Sequence, residues 1–443
     1  MSNNLAATGG TMSFRSFIDQ LKNDCSLTEI REPVAKEYDA TGIAGDGTPV
    51  LFHDIDESRV AVNILASRDA LCSALSVKRE GLVAHLASVG MDGETRLVAD
   101  SQTKEIREKP DLSKLPILTY FKDDPAPYIT AGVLITEIDG VTNASIHRMM
   151  VIGNDRLAVR LVAPRHTYLM HKKALERGED LPVAIAIGLD PAVLFALCTR
   201  VPEGLEFRYA SAIIGEPLEV FECGNGLRVP HCEIVLEGYI GDETAPEGPF
   251  VDITGTYDRV RSEPVIRITG ISHREDPIYH AIVPSGREHK LLMGVPYEPR
   301  IFSAVNGVAD AKNVVLTDGG CCYFNSVVQI EKRTEGDPKN AILAAFAAHP
   351  SLKNVVVVDP DINIYDPSDV EFAIATRVLG DRDLLVVTNV RGSSLDPISA
   401  PDGTTTKVGV DATMPIGREG EFMRVLRFDA SSVSVDARPP PRR

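Results

Sequence analysis

The sequence predicts a mixed α/β (α+β) protein in three parts: an N-terminal α/β domain over residues 1–115, a central split β-barrel domain over 116–300 and a C-terminal α/β domain over 301–443. Three observations carry this reading. A chain of 443 residues has room for two or three domains, each with its own buried core. Its middle is a succession of strand-like runs, whereas helical and strand patterns alternate on either side. Its 34 glycines and 29 prolines supply the turns that a strand-rich portion needs and a helical bundle does not.

In chain order, residues 1–12 are small and polar and read as disordered. From Ser13, SFRSFIDQLKND spaces Phe14, Phe17, Ile18 and Leu21 at helical period. VLFHDI and RVAVNIL read as strands, with a helical stretch between Asp69 and Ala87, and KPDLSKLPI near Pro110 connects to the next part. ITAGVLITEI, NASIHRMMVIG, RLAVRLV, PVAIAIG, LEVFECG, CEIVLEGYI and PVIRITGISH are then strands, punctuated by turns such as DG and GND. Two helical runs interrupt them, HTYLMHKKALERGED and DPAVLFALCTRV; many strands with few helices predict a closed or split barrel. After residue 300, KNVVLTD, FNSVVQIEKR, AILAAFAAH, NVVVVD, DVEFAIATRVL and DLLVVTNV restore a regular α/β alternation. Val355–Val358 reads as a buried strand with a polar edge at Asp359-Pro360-Asp361. The tail ARPPPRR, 437–443, cannot pack as helix or central strand.

Composition excludes some partners. With 46 basic and 63 acidic residues the net charge is −17, which repels a phosphate backbone, so no nucleic acid is expected. No apolar run approaches the roughly 18 residues that cross a bilayer. The start MSNNLAATGGTMS lacks the basic-then-apolar order of a signal peptide, so no membrane partner is expected and the cytoplasm is the default. The seven cysteines (Cys25, Cys72, Cys198, Cys223, Cys232, Cys321, Cys322) are odd in number and form no CxxC pair, which predicts buried or half-buried free thiols. Cys321 and Cys322 are expected to alternate across a strand. Neither GxGxxG after a strand nor GxxxxGK[ST] is present.

Six polar residues of the middle make chemical sense together. Asn143 in TNASIHRMM, His166 in APRHTY and Glu206 in GLEFRYA offer an amide oxygen, an imidazole and a carboxylate, a set suited to Mn²⁺ or a similar divalent ion. With one formal negative charge it leaves such an ion under-compensated, so an anionic ligand such as a cofactor phosphate would complete it. Arg148 follows Asn143 by five residues; a regular strand would put them on opposite faces, so a bulge, or a turn at Asn143 before the strand proper, is required. Glu247 and Asp252 lie in ETAPEGPFVDITG, where Pro246, Gly248 and Pro249 fix a loop. Of two carboxylates flanking one arginine, the one in tighter contact stays ionised and the other is raised toward neutral pH. An arginine with two carboxylates is equipment for handling a carboxylic acid. Loss of CO₂ from an sp² carbon, however, needs an electron sink from a cofactor, and no Schiff-base lysine or thiamine signature is evident.

These segments resemble the active-site core of the UbiD family of decarboxylases. PEGPF after the strand EIVLEG, Glu233 to Gly238, is the most specific local motif, and the resemblance runs from the N-terminal unit to GTTTKVGVDAT. It implies a carboxy-lyase that reversibly and non-oxidatively decarboxylates an acid through a covalent adduct with prenylated FMN. The cofactor would sit in the central barrel, with Mn²⁺ at Asn143, His166 and Glu206 bridging to the flavin phosphate and K⁺ alongside. Cofactor contacts are implied at Asn143, Ala144, Ser145, Ile146, His147 and Arg148, and at Arg165, His166, Glu206 and Lys407. Arg148 would bind the substrate carboxylate, Glu247 orient Arg148 and Asp252 donate the proton. Val251 stands where the family commonly has Gly, and Asp252 where some relatives carry Glu, which shortens or crowds the acid's reach.

The stretch SGREHKLLMGVPYEP, Ser285 to Pro299, borders the substrate in this family, and its EHKLLMG form is similar to heteroaromatic-acid decarboxylases. His289 is the candidate substrate contact; Tyr297 replaces the arginine expected of a dicarboxylate binder. The expected substrate is therefore a monocarboxylic aromatic or heteroaromatic acid of pyrrole, indole or furan type, with CO₂ or bicarbonate as the other partner. The alternative within the family is a hydroxybenzoate- or acrylic-type acid; outside it stands an oxidoreductase with plain FMN, in which Glu247 and Asp252 merely hold a loop. The resemblance further implies a flavin prenyltransferase supplying the cofactor. It also implies a C-terminal domain that closes the site and assembles a homodimer or larger homo-oligomer.

Overall fold

The computed structural model describes residues 13–425; the segment 1–12 and the ARPPPRR tail lie outside the described residues. Helix Phe14–Asn23 starts at a capping box between Ser13 and Ser16 and buries Phe14, Phe17, Ile18 and Leu21. It belongs to a domain built on a four-stranded sheet, ordered Thr28–Ile30, Val50–Ile55, Ser58–Val62 and Ile278–Ala281. The last strand arrives from far along the chain and pairs parallel to Ser58–Val62. The N-terminal unit is thus completed by residues that follow the barrel.

The central sheet is formed by β1 (Tyr128–Ile129), β2 (Val133–Ile138), β3 (Val141–Ile146), β4 (Met149–Gly153), β5 (Arg156–Val159), β6 (Leu181–Ile187), β7 (Ile234–Glu247) and β8 (Arg261–His273). Their order is β1-β4-β5-β8-β7-β6-β2-β3, with Ile106–Glu108 pairing on β8. β3 is one edge of this order and β4 is next to the other, yet only His147 and Arg148 separate them in sequence. Three Cα steps span at most about 11 Å, so the sheet must curl until its two ends meet. Among the described residues no ladder closes the seam; the His147 N–H donates to the Gly132 carbonyl at 3.2 Å and so extends the β2–β3 pairing by one residue before the chain crosses to β4. The barrel is split at Arg148.

β6 shows how the sequence fills both faces. Val183, Ile185 and Ile187 point into one apolar core with Leu134, Leu236 and Ile266. Ala184 and Ala186 point to the other, under helices Pro191–Cys198 and Glu206–Ile214. Small residues sit where helices must approach, and bulky ones fill the interior. β7 and β8 form a long hairpin whose register shifts between Glu237 and Gly238 and again between Ile240 and Thr244; such shifts bend and twist a ribbon. At its far end a smaller hairpin pairs Phe250–Val251 with Tyr257–Asp258.

The C-terminal sheet is ordered Asp310–Leu316, Asn325–Glu331, Asn354–Val358, Thr404–Ala412 and Leu384–Arg391. Asn354–Val358 has parallel neighbours on both sides, the setting its valine run requires.

Several expectations need correction. LEVFECG is not a barrel strand: Leu218–Glu222 lies in a separate three-stranded sheet with Thr95–Val98 and Arg228–Pro230. The barrel carries a third helical insertion, Glu206–Ile214, ended by Gly215 in the left-handed region at φ 77°. Cys321 and Cys322 are not on a strand. They occupy a tight turn at φ 57° and 50°, in which Cys322 N–H donates to the Thr317 carbonyl. Cys25 is exposed, while Cys72, Cys223, Cys232 and Cys322 are buried. No helix among the described residues is long and apolar enough to cross a membrane.

Candidate active site

Arg148 leaves the barrel seam and meets the β7–β8 hairpin. Its Nε and Nη2 donate to the two carboxylate oxygens of Glu247, each at 2.9 Å, and Nη2 also donates to Asp258 Oδ2 at 3.1 Å. Nη1 faces Asp252 Oδ2 at 3.6 Å, beyond hydrogen-bond length. The guanidinium lies over the Phe250 ring at 4.7 Å, and Phe250 in turn leans on Tyr128. Burial works against the charge, but the bonds from Glu247 and the charges of Glu247, Asp258 and Asp252 outweigh it and hold Arg148 above the ordinary arginine range.

The three carboxylates are not equivalent. Glu247 is fully buried and grips Arg148 with both oxygens. Asp258 is shared with Arg261, whose Nη2 reaches Oδ1 at 2.7 Å. Burial pushes Asp258 up, yet Arg261 and Arg148 hold its carboxyl below the usual range. Asp252 is the least committed: Oδ1 accepts the Ile253 N–H at 2.7 Å, and Oδ2 has only the distant Nη1. Gly248 lets the loop bend, at φ 95° and with the Arg259 carbonyl 3.1 Å from where a Cβ would stand.

The second group gathers where two helices begin. His166 opens helix His166–Glu176 and Glu206 opens helix Glu206–Ile214. His166 Nδ1 lies 3.3 Å from Glu206 Oε1, while Glu206 Oε2 is buried with no hydrogen-bond partner. Burial raises the Glu206 carboxyl against the opposing pull of its own N–H, of His166 and of the Gly204 N–H. Asn143, on β3, reaches the pair through Thr167: its amide nitrogen donates to Thr167 Oγ1 at 2.9 Å, leaving Oδ1 uncommitted. Among the described residues no group of three or more His, Cys, Asp or Glu is arranged to hold a metal ion. The donor set is two such groups and an amide. An orphaned carboxylate oxygen beside an imidazole is what a divalent cation satisfies, and two converging helix N-termini favour a phosphate.

Residues 143–148 do not form one surface. Asn143, Ser145 and His147 share a network with Thr167, whereas Ala144 and Ile146 turn into the helix-side core, as strand alternation demands. His147 Nδ1 carries the ring hydrogen toward the Arg160 carbonyl at 3.0 Å, so Nε2 accepts from Ser145. Burial pushes this imidazole down to about 4, with Arg165 adding to the effect and the Arg160 carbonyl opposing it.

His289 lies on helix Arg287–Gly294 and accepts the Ser285 N–H at Nδ1, 3.0 Å, which puts its hydrogen on Nε2. Ser285 Oγ in turn donates to the Ile253 carbonyl at 3.2 Å, which ties His289 to the loop of Asp252; burial lowers the His289 pKa while Asp252 opposes. Lys407 lies on an interior strand of the C-terminal sheet, where its Nζ donates to the Pro350 carbonyl at 2.6 Å beside the Phe346 ring. Burial pushes it down to about 8. Arg165 is exposed and pairs with no carboxylate among the described residues. Asp258 and Arg261 were not anticipated; the alternation FV…YD around the ITG turn was the signal for the hairpin that carries them.

A buried arginine facing three carboxylates is suited to a carboxylic acid, and two helix starts that meet at His166 and Glu206 are suited to a phosphate. The N-terminal, Rift-related and C-terminal domains of 3-octaprenyl-4-hydroxybenzoate carboxy-lyase match residues 18–89, 96–287 and 290–412 respectively. The chain belongs to the UbiD family and is a UbiD-type decarboxylase, a carboxy-lyase of a flavin-dependent family. It is 62% identical over 418 residues to anhydromevalonate phosphate decarboxylase of Methanosarcina mazei, covering 94% of this chain and 99% of that protein. Its fold matches the UbiD-class enzyme HmfF of Pelotomaculum thermopropionicum in complex with FMN, with a TM-score of 0.91, 38% identity, and coverage of 95% and 98% of the two chains. An evolved dimeric form of that HmfF, in complex with prFMN, matches with a TM-score of 0.88, 35% identity, and coverage of 96% and 99%.

Proposed function

We propose that this protein releases CO₂ from anhydromevalonate phosphate, using prenylated FMN. The substrate rests on the 62% identical relative of that name, which shares nearly the full length. The name describes a dehydrated, hence unsaturated, acid carrying a phosphate ester, not the heteroaromatic acid that EHKLLMG led us to expect. Of the expected acids, the acrylic type is the nearest in chemistry. CO₂ still leaves an sp² carbon, so the same residues serve. A plain-FMN oxidoreductase has no support in the relatives.

The observation that carries the chemistry is the asymmetry around Arg148: Glu247 on one edge at 2.9 Å, and an open Nη1 facing Asp252 at 3.6 Å. The open edge would take the substrate carboxylate, with Glu247 and Asp258 fixing the guanidinium plane. Asp252, with a free oxygen, would deliver the proton to the carbon that CO₂ has left. Ile253, packed with Tyr323 and Phe324, would keep water from that carbon. Bound prenylated FMN would supply the electron sink that this bond cleavage requires. Asn143 Oδ1, His166 and the orphaned Glu206 oxygen would hold Mn²⁺, which with the two helix N-termini would anchor the cofactor phosphate. K⁺ beside it is carried by the family resemblance alone, as are assembly with a second copy and supply by a prenyltransferase.

The test is Asp252→Asn. Turnover and solvent-hydrogen exchange into the product should vanish while flavin stays bound; normal turnover by that variant would remove Asp252 from the chemistry.

A further inference from the structure

The segment that carries His289 and Tyr297 is held from outside the barrel. Residues 288–298 lead from the barrel into the C-terminal domain through helix Arg287–Gly294, a short turn at Val295–Tyr297 and the start of helix Glu298–Asn306. Two glutamates bracket this segment, and both are fully buried. Glu288 Oε1 accepts the Leu65 N–H at 3.0 Å and lies 3.2 Å from His280 Nε2. Glu298 takes Arg68 on both oxygens, Nη1 on Oε2 at 2.8 Å and Nη2 on Oε1 at 2.6 Å, and its Oε1 also accepts the Leu316 N–H at 2.8 Å. Leu65 and Arg68 belong to one stretch of the N-terminal unit, and His280 to the strand that completes its sheet. The N-terminal unit thus grips the segment at both ends.

Core packing alone does not call for these charges. Burial works against the Arg68 charge, yet Glu298 outweighs it and holds the guanidinium above the ordinary arginine range. Apolar side chains of similar volume often match or better a buried ion pair in stability. Glu288 Oε2 and His280 Nδ1 are buried with no hydrogen-bond partner among the described residues, a cost that an apolar contact would not carry. What directed bonds add is orientation, because a planar guanidinium on two carboxylate oxygens admits one arrangement. Orientation matters at His289. Its Nδ1 accepts the Ser285 N–H, Ser285 Oγ donates to the Ile253 carbonyl, and Asp252 Oδ1 accepts the Ile253 N–H. The gripped helix is therefore bonded through to the loop of the acid.

We infer that Arg68, Glu298 and Glu288 are positioning residues, which fix segment 288–298 from the N-terminal unit so that His289 is held beside the loop of Asp252 to meet the substrate. Their part in turnover runs through His289 and rests on its reading as the substrate contact. The N-terminal unit supplies none of the candidate site residues; this clamp gives it a share in substrate binding.

The test begins with Arg68→Lys, which keeps the charge and gives up the two-oxygen grip. In the flavin-loaded enzyme, amide hydrogen exchange in residues 288–297 should quicken about fivefold or more, while barrel strand β6 and the bound flavin content stay as in the wild type. With anhydromevalonate phosphate as substrate, KM should rise about fivefold or more and kcat change by less than about twofold. On a His289→Ala background the same substitution should raise KM by less than about twofold, since the contact that it positions is gone. Arg68→Met combined with Glu298→Leu removes both charges at similar volume, and it answers if the lysine variant does not fold. It should melt within about 5 °C of the wild type and show the same exchange and KM pattern. Unchanged exchange in 288–297, or quickening spread over the whole chain, overturns the clamp. A KM effect of equal size with and without His289 overturns its action through that residue. If the wild type does not decarboxylate the ester, the substrate reading has failed, and exchange in 288–297 alone decides the clamp.

Discussion

Glu247 holds Arg148 by one edge, one N–H on each carboxylate oxygen at 2.9 Å, and it does so fully buried. The grip orients a guanidinium whose other edge is left for a ligand. Glu247→Gln keeps the shape and removes the charge. We expect kcat/KM to fall by about 100-fold or more and the protein to lose about 2–4 kcal/mol, the range for breaking a buried pair when Asp258 remains to compensate in part. Kinetics and chemical denaturation measure the two separately; an active, equally stable variant would mean that the grip is incidental.

Glu206→Gln should act on cofactor retention. The orphaned Oε2 is replaced by an amide that cannot neutralise a cation. Purified variant should carry under about a tenth of the wild-type manganese and flavin, read by elemental analysis and absorbance, with melting of the apo-protein unchanged or raised. Full occupancy of both would place the metal elsewhere.

Gly294 carries the helix of His289 onto the C-terminal domain. A Cβ there would meet the Cys322 carbonyl oxygen at 1.8 Å. Gly294→Ala should therefore destabilise by about 2 kcal/mol or more and shift the helix that places His289. The fall in Tm and a raised substrate KM should appear together.

Lys407 gives a pH signature. Its folded value of about 8 lies below the ordinary lysine value of 10.5, so the unfolded chain binds more protons between these limits and stability rises with pH across them. The rise should reach about 2–3 kcal/mol and disappear in Lys407→Met, relative to wild type in denaturation series from pH 7.5 to 10.5. Parallel curves for the two proteins would show that the ammonium is not desolvated.

The fold was legible where a single period dominates. The Phe14–Asn23 helix, the β6 run and the Val355–Val358 strand each advertise the face they bury. Alternation alone called for an irregularity; it falls at His147 and Arg148, the barrel seam, and not at Asn143, which pairs regularly inside β3. What could not be read was partnership at a distance. LEVFECG is as strand-like as its neighbours, and only tertiary pairing with Thr95–Val98 takes it out of the barrel. Lys407 sits in a polar-looking sequence, yet strands on both sides bury it. For Asp258 the local sequence signals only a hairpin; its role comes from the fold that brings this hairpin under Arg148. Substrate choice was least legible: EHKLLMG pointed to a heteroaromatic acid, whereas the 62% identical relative is named for an unsaturated phosphate ester.

The central claim is that this UbiD-type decarboxylase acts on an unsaturated phosphate ester through Arg148 and Asp252. The most direct measurement is incubation of the flavin-loaded protein with anhydromevalonate phosphate in D₂O, following CO₂ and the product by NMR. The account predicts one CO₂ and one five-carbon alkenyl phosphate per substrate, with a single deuterium on the carbon that bore the carboxylate, all lost in Asp252→Asn. No CO₂ from this ester, with turnover of a pyrrole- or furan-type acid instead, would contradict it.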